Sequence, residues 1–184
     1  MTPETLPPFD PRRFIRHGVG GHGGLLKLSD HAHGPDWVEL KLPYQAALIG
    51  DPDRGVLASG PILTMMDMAT SLAVWTRLGR FRPHATLDLR IDYLRPATPG
   101  KTVVGHGECY RITRPISFVR GQAHDGDPPD PLAHGAGPFM FTDHPAARAV
   151  FSFSVYALTS RISKRHGHLR PAPLPEVDRS HETR

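Results

Sequence analysis

The spacing of apolar residues predicts one long buried helix near the middle of the chain. Almost every side chain over about residues 61–78 is apolar, and a helix that is apolar nearly all round is buried on nearly all sides. Gly79 is suited to end this helix, because glycine readily adopts the left-handed conformation that follows a helix C-terminus. At the other end, Pro61 suits the first helical position, and Ser59 or Gly60 is the expected cap.

Alternating polar and apolar residues predict strands on both sides of this helix. Before it, residues 36–42 alternate, and Pro43 ends the strand. After it, residues 84–96 alternate most clearly, with apolar side chains at odd positions and polar side chains at even positions. Further strands are predicted at 101–113, 116–124 and 132–142. Strands that follow one another through short turns without another helix predict an α+β fold with an antiparallel sheet, not a βαβ fold.

Composition divides the chain into three segments. Residues 1–34 read as an N-terminal arm and a loop rich in Gly and His, residues 35–142 as the folded domain, and residues 143–184 as a partly disordered C-terminal extension. Within that extension, residues 147–163 fit either a helix or an edge strand. The extension holds seven Arg or Lys and four Asp or Glu, so most of the net charge of +4 lies outside the domain. A nearly neutral domain argues against a nucleic-acid surface.

Cysteine content and hydropathy limit the cellular setting. Cys109 is the single cysteine of the sequence, which excludes an internal disulfide, and its place in a strand predicts a buried thiol. The N-terminus lacks the apolar segment of a signal peptide, and no apolar run reaches the ~18 residues of a membrane span. We therefore expect a soluble cytoplasmic protein that does not associate with a membrane.

A narrow polar stripe crosses the otherwise apolar helix. Thr64, Asp67 and Ser71 follow one another by three and four residues, so they lie on one helix face. A carboxylate buried without partners costs several kcal/mol, so this stripe is expected to face a water-filled cleft, a ligand or a subunit boundary. The alternative is a purely structural aspartate that threonines and a backbone amide hold in place.

The start of the same helix offers free amides. Pro61 has no N–H, so the unpaired amides belong to Ser59 and Gly60, at the positive end of the helix dipole. Such amides can stabilise the oxyanion that forms when a carbonyl is attacked. Asp67 lies seven residues beyond Gly60, which corresponds to about 10 Å along the axis. One carbonyl therefore cannot easily reach both, and a two-fold dimer would solve this with amides from one subunit and the carboxylate from the other.

Three stretches together resemble a known family. GVLASGPILTMMDMA, ATLDLRIDYLRPA and LAHGAGPFMF are similar to the hotdog-fold acyl-CoA thioesterases of the phenylacetic-acid-degradation (PaaI) type, over residues 36–142. The resemblance implies a long buried helix wrapped by a curved antiparallel sheet. It also implies homodimers or homotetramers, with acyl-CoA bound where subunits meet. Because a thiolate leaves readily, no metal or other cofactor is expected.

The resemblance also implies roles for individual residues. Asp67 matches the catalytic acid, which acts as nucleophile or general base. Ser59 matches the glycine whose N–H polarises the thioester carbonyl, Gly60 matches the second glycine, and Ala58 falls on the motif histidine. Thr64 and Ser71 would line the cleft or orient the carboxylate. The residues expected to hold the phosphates of CoA are Arg95, Arg114 and Arg120, which we place at strand ends or turns.

Other interpretations follow from particular residues. Because Ala58 has no side-chain hydrogen bond to offer, a hotdog protein that binds acyl-CoA or another small ligand without hydrolysing it is the main alternative. A hydratase of the same fold is less favoured, since Leu72 stands where that branch is expected to carry a histidine. GVGGHG at 18–23 fits a nucleotide-loop pattern but lacks the βαβ context. The histidine pairs at 31/33 and 166/168 lack the partners of a metal site.

Overall fold

The computed structural model describes residues 9–18 and 21–143 of the 184-residue chain. Its helices are α1 (Pro11–Gly18), α2 (Gly21–Leu25) and α3 (Ser59–Leu78), with a short 3₁₀ turn at Ala46–Leu48. Its strands are β1 (Ser29–His33), β2 (Trp37–Leu42), β3 (Ile49–Asp51), β4 (Val56–Leu57), β5 (His84–Thr86), β6 (Arg90–Tyr93), β7 (Val103–Ile112), β8 (Ile116–His124) and β9 (Ala133–Phe141). Among residues 9–18 and 21–143, every helix falls short of the length or the hydropathy that a membrane span requires.

A seven-stranded antiparallel sheet wraps α3, which confirms the expected α+β hotdog architecture. The strand order is β1-β2-β7-β8-β9, and β9 then pairs with both β5 and β6. The long helix packs mainly on β2, β7 and β8, while β3 and β4 form a separate hairpin that leads into it. The predicted helix and the predicted strands at 36–42, 101–113, 116–124 and 132–142 all agree with this arrangement.

Glycines on the central strands let the helix lie close to the sheet. A Cβ at Gly107 of β7 would stand 2.5 Å from the backbone nitrogen of Thr70, and one at Gly105 would stand 2.8 Å from the methyl group of Met65. Met65 and Ala69 are completely buried in the layer between α3 and the sheet. The backbone of α3 and the side chain of Met65 therefore occupy the space that side chains at Gly107 and Gly105 would fill.

A bulge divides the segment that the alternation predicted as one strand. Thr86 pairs with Phe139, but Arg90 pairs with Ala136, so the register shifts by one residue between β5 and β6. Gly137 makes the shift possible, because a Cβ there would lie 2.0 Å from the carbonyl oxygen of Asp88. A shift of one residue reverses which side chains face the helix. The expectation that the odd positions share one face throughout 84–96 was therefore wrong.

The loop predicted over residues 13–34 was also wrong. Two short helices precede β1, and β1 pairs with β2 as part of the main sheet. Phe9 and Phe14 pack edge-on against the Trp75 ring, and Ile15 is buried. Helices of five and eight residues are too short to form stably by themselves, so these contacts with α3 stabilise a structure that local composition does not predict. The alternatives for 147–163 lie outside the described residues.

The two ends of α3 differ in how well they were predicted. Gly79 ends the helix with φ of +64°, as expected. At the start, however, the cap is Ala58, which makes no side-chain capping hydrogen bond, so the expected cap at Ser59 or Gly60 was wrong. Pro61 is consequently the third helical residue and not the first. It remains in the first turn, where no N–H is needed.

Candidate active site

The polar stripe of α3 lies along a partly exposed edge of the helix. Asp67 is half-buried there, and the hydroxyl of Thr86 on β5 donates a 2.8 Å hydrogen bond to its Oδ1. Burial raises the pKa of Asp67 above its ordinary value, and the Thr86 hydrogen bond opposes that rise only in part. A carboxylate with a raised pKa binds a proton more readily than an ordinary surface aspartate does, and this suits a general base.

One turn further along α3, Ser71 meets His84 from the same strand. Ser71 Oγ and His84 Nε2 are 2.8 Å apart. The two pairs lie side by side because residues four apart on a helix and two apart on a strand point the same way. The His84 ring packs against Trp75 and Phe139, and burial lowers its pKa to about 4. The imidazole is therefore neutral at pH 7.

The Ser71–His84 pair differs from a nucleophilic serine–histidine pair. In such a pair, a third group orients the histidine through Nδ1. Among the described residues, no side chain hydrogen-bonds to His84 Nδ1, and the ring is a weak base because burial lowers its pKa to about 4. The pair thus connects helix and strand beside Asp67 without activating the serine.

Thr64, the first member of the stripe, is held at the start of the helix. Its hydroxyl donates to the carbonyl oxygen of Gly60 at 3.1 Å. His22 of α2 lies 3.2 Å from the same hydroxyl through Nε2, so this imidazole is the donor once the hydroxyl proton is committed to Gly60. Thr64 therefore ties the N-terminal segment to the first turn of α3.

The first turn of α3 presents its amides to solvent. Ser59 and Gly60 are both exposed, and within residues 9–18 and 21–143 no group accepts a hydrogen bond from either amide. No atom outside the immediate backbone lies within 4 Å of the place where a Gly60 Cβ would stand. The Tyr93 hydroxyl donates to the carbonyl oxygen of Ser59 at 2.9 Å. This end of the helix is open to a ligand oxygen.

An open pocket of about 270 Å³ borders these amides. Its walls are mostly apolar, and one charged side chain reaches it. The lining residues are Leu57, Ser59, Ile62, Tyr93, Leu94, Arg95, Pro96 and Ala97. An apolar space beside unpaired amides suits a ligand with a carbonyl at one end and a hydrocarbon part beyond it.

Ala58 leaves no side-chain donor at this point. Its Cα and Cβ would lie 2.9 and 3.0 Å from a Cβ at Gly50 of β3, so the two backbones pack closely. The backbone of Gly50 in the β3–β4 hairpin therefore packs directly on Ala58. The backbone N–H groups of Ser59 and Gly60 are then the hydrogen-bond donors at the start of α3.

The three arginines expected at the phosphates do not converge on this site. Arg95 borders the pocket, but Asp125 at 2.9 Å and Asp130 at 2.8 Å already neutralise it.

The other two lie elsewhere in the chain. Arg120 lies in the middle of β8, paired with Glu108 at 2.8 Å, and not at a strand end as expected. Arg114 is in the β7–β8 turn, where Arg82 donates to its carbonyl oxygen. Arg82 follows the C-terminal end of α3, and a 20-residue helix puts that end about 30 Å from Ser59.

Sequence reasoning missed three partners of the stripe and the first turn, namely Thr86, His84 and Tyr93. The signal was present in part, because His84 and Thr86 are the first polar residues of the alternating segment. Their inward orientation follows from pairing with β9, where Phe139 and Phe141 face the helix.

In the described part of the chain, no group of His, Cys, Asp and Glu is arranged to hold a metal ion. Cys109 is buried, and burial raises its pKa to about 11, which makes this thiol inert.

Comparison with known proteins places this geometry in context. The profile of the thioesterase superfamily matches residues 54–131. A protein of known structure from Pseudomonas aeruginosa is 43% identical, with a TM-score of 0.62, and the match covers 70% of this chain and 94% of that one. No curated protein matches the chain.

Two more distant structures share the fold. A thioesterase from Haemophilus influenzae is 18% identical, with a TM-score of 0.62 and coverage of 74% of this chain and 91% of that one. The PaaI protein from the phenylacetic acid degradation operon of E. coli is 11% identical, with a TM-score of 0.61 and coverage of 71% and 91%. At these identities the likeness is one of fold alone.

Proposed function

Because the chain belongs to the thioesterase superfamily, with the hotdog fold of the PaaI type, we propose that it hydrolyses acyl-CoA thioesters to the free acid and CoA. Thioester hydrolysis is the reaction class of this family, and acyl-CoA is the substrate that we propose. One observation carries the proposal. A half-buried carboxylate with a raised pKa lies on the open edge of a helix that is otherwise buried, and one hydroxyl holds it.

In the proposed reaction, Asp67 acts as a general base on water. The water oxygen attacks the thioester carbonyl carbon while its proton passes to the carboxylate. The carbonyl oxygen becomes an oxyanion and accepts hydrogen bonds from the amides of Ser59 and Gly60. The C–S bond then breaks, the carbonyl re-forms as a carboxylic acid, and the CoA thiolate takes up the proton. The Thr86 hydrogen bond orients the carboxylate throughout.

We propose that each site combines two copies of the chain. Asp67 and the amides of Ser59 and Gly60 lie on one helix, about 10 Å apart along its axis, so a single thioester cannot reach both within one chain. Several large apolar side chains remain 39–56% exposed on α3 and on the segment that contains β5 and β6: Leu63, Leu87, Tyr93 and Leu94. A second copy related by a two-fold axis would cover them and bring its own carboxylate to the amides.

The first test replaces the carboxylate. Asp67→Asn is expected to lower kcat for acyl-CoA hydrolysis by roughly 10²–10⁴-fold, the usual contribution of a general base, without loss of fold. Release of free thiol from short, long and aromatic acyl-CoAs measures the rate, and sedimentation measures the assembly. Asp92→Asn is the matched control, because that carboxylate is exposed and paired with Arg90. Unchanged turnover in Asp67→Asn would remove the assignment.

A mixing experiment tests whether two chains share a site. Ser59→Pro removes one oxyanion donor with little strain, since Ser59 is the first helical residue and Ala58 is already extended at φ −63° and ψ 150°. Asp67→Asn homodimers and Ser59→Pro homodimers should each lose most of their activity. Co-expressed chains should regain activity, because one of the two sites in each hybrid dimer has both groups intact. Hybrids as inactive as their parents would contradict the shared site.

The second candidate function is binding without hydrolysis. The observation that favours it is Ala58, which contributes no side-chain hydrogen bond at the start of the helix. Calorimetry would then detect binding of CoA esters while no acyl-CoA of the panel releases thiol. Measurable thiol release that depends on Asp67 would exclude this alternative.

A further inference from the structure

The hydrogen bond from Tyr93 acts on a particular peptide unit. The Tyr93 hydroxyl donates to the carbonyl oxygen of Ser59 at 2.9 Å. That carbonyl and the N–H of Gly60 belong to the same planar peptide group. A contact that fixes the carbonyl therefore also fixes the direction of the Gly60 N–H. It also polarises the group, because a carbonyl that accepts a hydrogen bond makes the N–H of its own peptide a stronger donor.

Tyr93 has a distinct place among the contacts of the first turn. Thr64 holds the next carbonyl, that of Gly60, but the nitrogen of that peptide belongs to Pro61 and has no proton. The peptide that precedes Ser59 has no side-chain donor on its carbonyl among the described residues. The Ser59–Gly60 peptide thus combines a side-chain anchor with a free amide.

Two features make the anchor effective. Gly60 has no Cβ and open space beside it, so no side chain of the described residues packs against this position to hold its N–H in one direction. Burial also raises the pKa of Tyr93 above its ordinary value, so the phenol remains a proton donor at neutral pH. The bulge after β5 brings Tyr93 to the helix side of the sheet, because it reverses the facing of β6.

We propose that Tyr93 is a positioning residue that fixes and strengthens the Gly60 N–H as an oxyanion donor. The catalytic part of this inference rests on the proposed thioesterase function, whereas the effect on the peptide does not. Tyr93 itself does not touch the reacting atoms in this role. Its loss is expected to change the transition state more than substrate binding, since the oxyanion forms only after attack.

Tyr93→Phe tests the proposal, with Tyr44→Phe as the matched control. Tyr44 also donates to a backbone carbonyl, that of Gly55 at 2.7 Å, but in the β3–β4 hairpin. The backbone ¹⁵N resonance of Gly60 in the labelled full chain reports directly on the hydrogen bond to the Ser59 carbonyl. It should move upfield in Tyr93→Phe and stay in place in Tyr44→Phe.

Kinetics supply the second measurement. In Tyr93→Phe, kcat for acyl-CoA hydrolysis should fall on the order of tenfold while KM stays within about twofold, a fraction of the loss seen when an oxyanion donor is removed outright. Tyr44→Phe should keep its kcat. A Gly60 resonance that does not move, or a kcat that falls equally in both variants, would overturn the proposal.

The two measurements separate this inference from the proposed function. If the Gly60 resonance moves in Tyr93→Phe but the unaltered protein hydrolyses no acyl-CoA, the proposed function fails and the anchoring of the peptide stands. If the resonance moves and the protein is active but kcat is unchanged, the anchoring has no catalytic role and the positioning proposal fails by itself.

Discussion

The buried imidazole of His84 makes the stability of the protein depend on pH in a defined window. Burial against Trp75 and Phe139 lowers its pKa from an ordinary 6.5 to about 4 in the folded chain. Between these values, the unfolded chain binds a proton that the folded chain excludes. Because the unfolded state then binds more protons, the stability that His84 contributes is present above pH 6.5 and is lost as the pH falls toward 4.

The size of the loss follows from these two values. Between pH 7.5 and pH 5.0, proton binding by His84 in the unfolded chain is expected to lower the free energy of unfolding by about 2 kcal/mol. His84→Phe removes the titration and keeps an aromatic ring in the cluster. The variant also loses the hydrogen bond with Ser71, but that cost is the same at both pH values. Between pH 7.5 and pH 5.0, the free energy of unfolding of His84→Phe should therefore fall by about 2 kcal/mol less than that of the unaltered protein.

Urea unfolding at pH 7.5 and 5.0 measures the difference. All other titrating groups, including Asp67, are present in both proteins and cancel when the two pH changes are subtracted. His134→Phe is the control, since water reaches that side chain in the folded chain as in the unfolded one. If His84→Phe lost as much stability on acidification as the unaltered protein, the imidazole would not be excluded from water as the structure indicates.

Three further variants test the site and the packing. Thr86→Val removes the hydroxyl that favours the charged form of Asp67. The acid limb of the pH profile of kcat should therefore move to higher pH, and kcat at neutral pH should fall on the order of tenfold. A pH profile like that of the unaltered enzyme would deny Thr86 this role. Gly107→Ala should lower the free energy of unfolding in urea by about 1–3 kcal/mol, because the new methyl group would meet the backbone of α3. Gly60→Ala has open space beside it, so it should leave the free energy of unfolding unchanged or raise it by stabilising the helix. Equal effects of the two glycine substitutions would contradict the packing of α3 against β7.

Elements whose signal is local could be predicted from the amino-acid sequence alone. Gly79 marks the end of α3 because a left-handed residue there favours glycine whatever packs around it. The continuous apolar run predicted a buried helix, and the spacing of Thr64, Asp67 and Ser71 placed them on one face, since three or four residues make one helical turn. The long strands β7, β8 and β9 could be predicted because the composition and the turns that mark each strand lie within one continuous segment.

The side chains that meet across different elements could not be predicted in this way, because their contacts depend on how the strands pair. Alternation over 84–96 could not reveal that His84 and Thr86 face the helix while Tyr93, an odd position, also does, because the bulge opposite Gly137 reverses the facing between them. Periodicity describes the direction of a side chain relative to its neighbours in the chain. Strand register depends on pairing partners that are 40 to 57 positions away, from Tyr93 with Ala133 to His84 with Phe141. That pairing determines which side chains reach Asp67 and the first turn of α3.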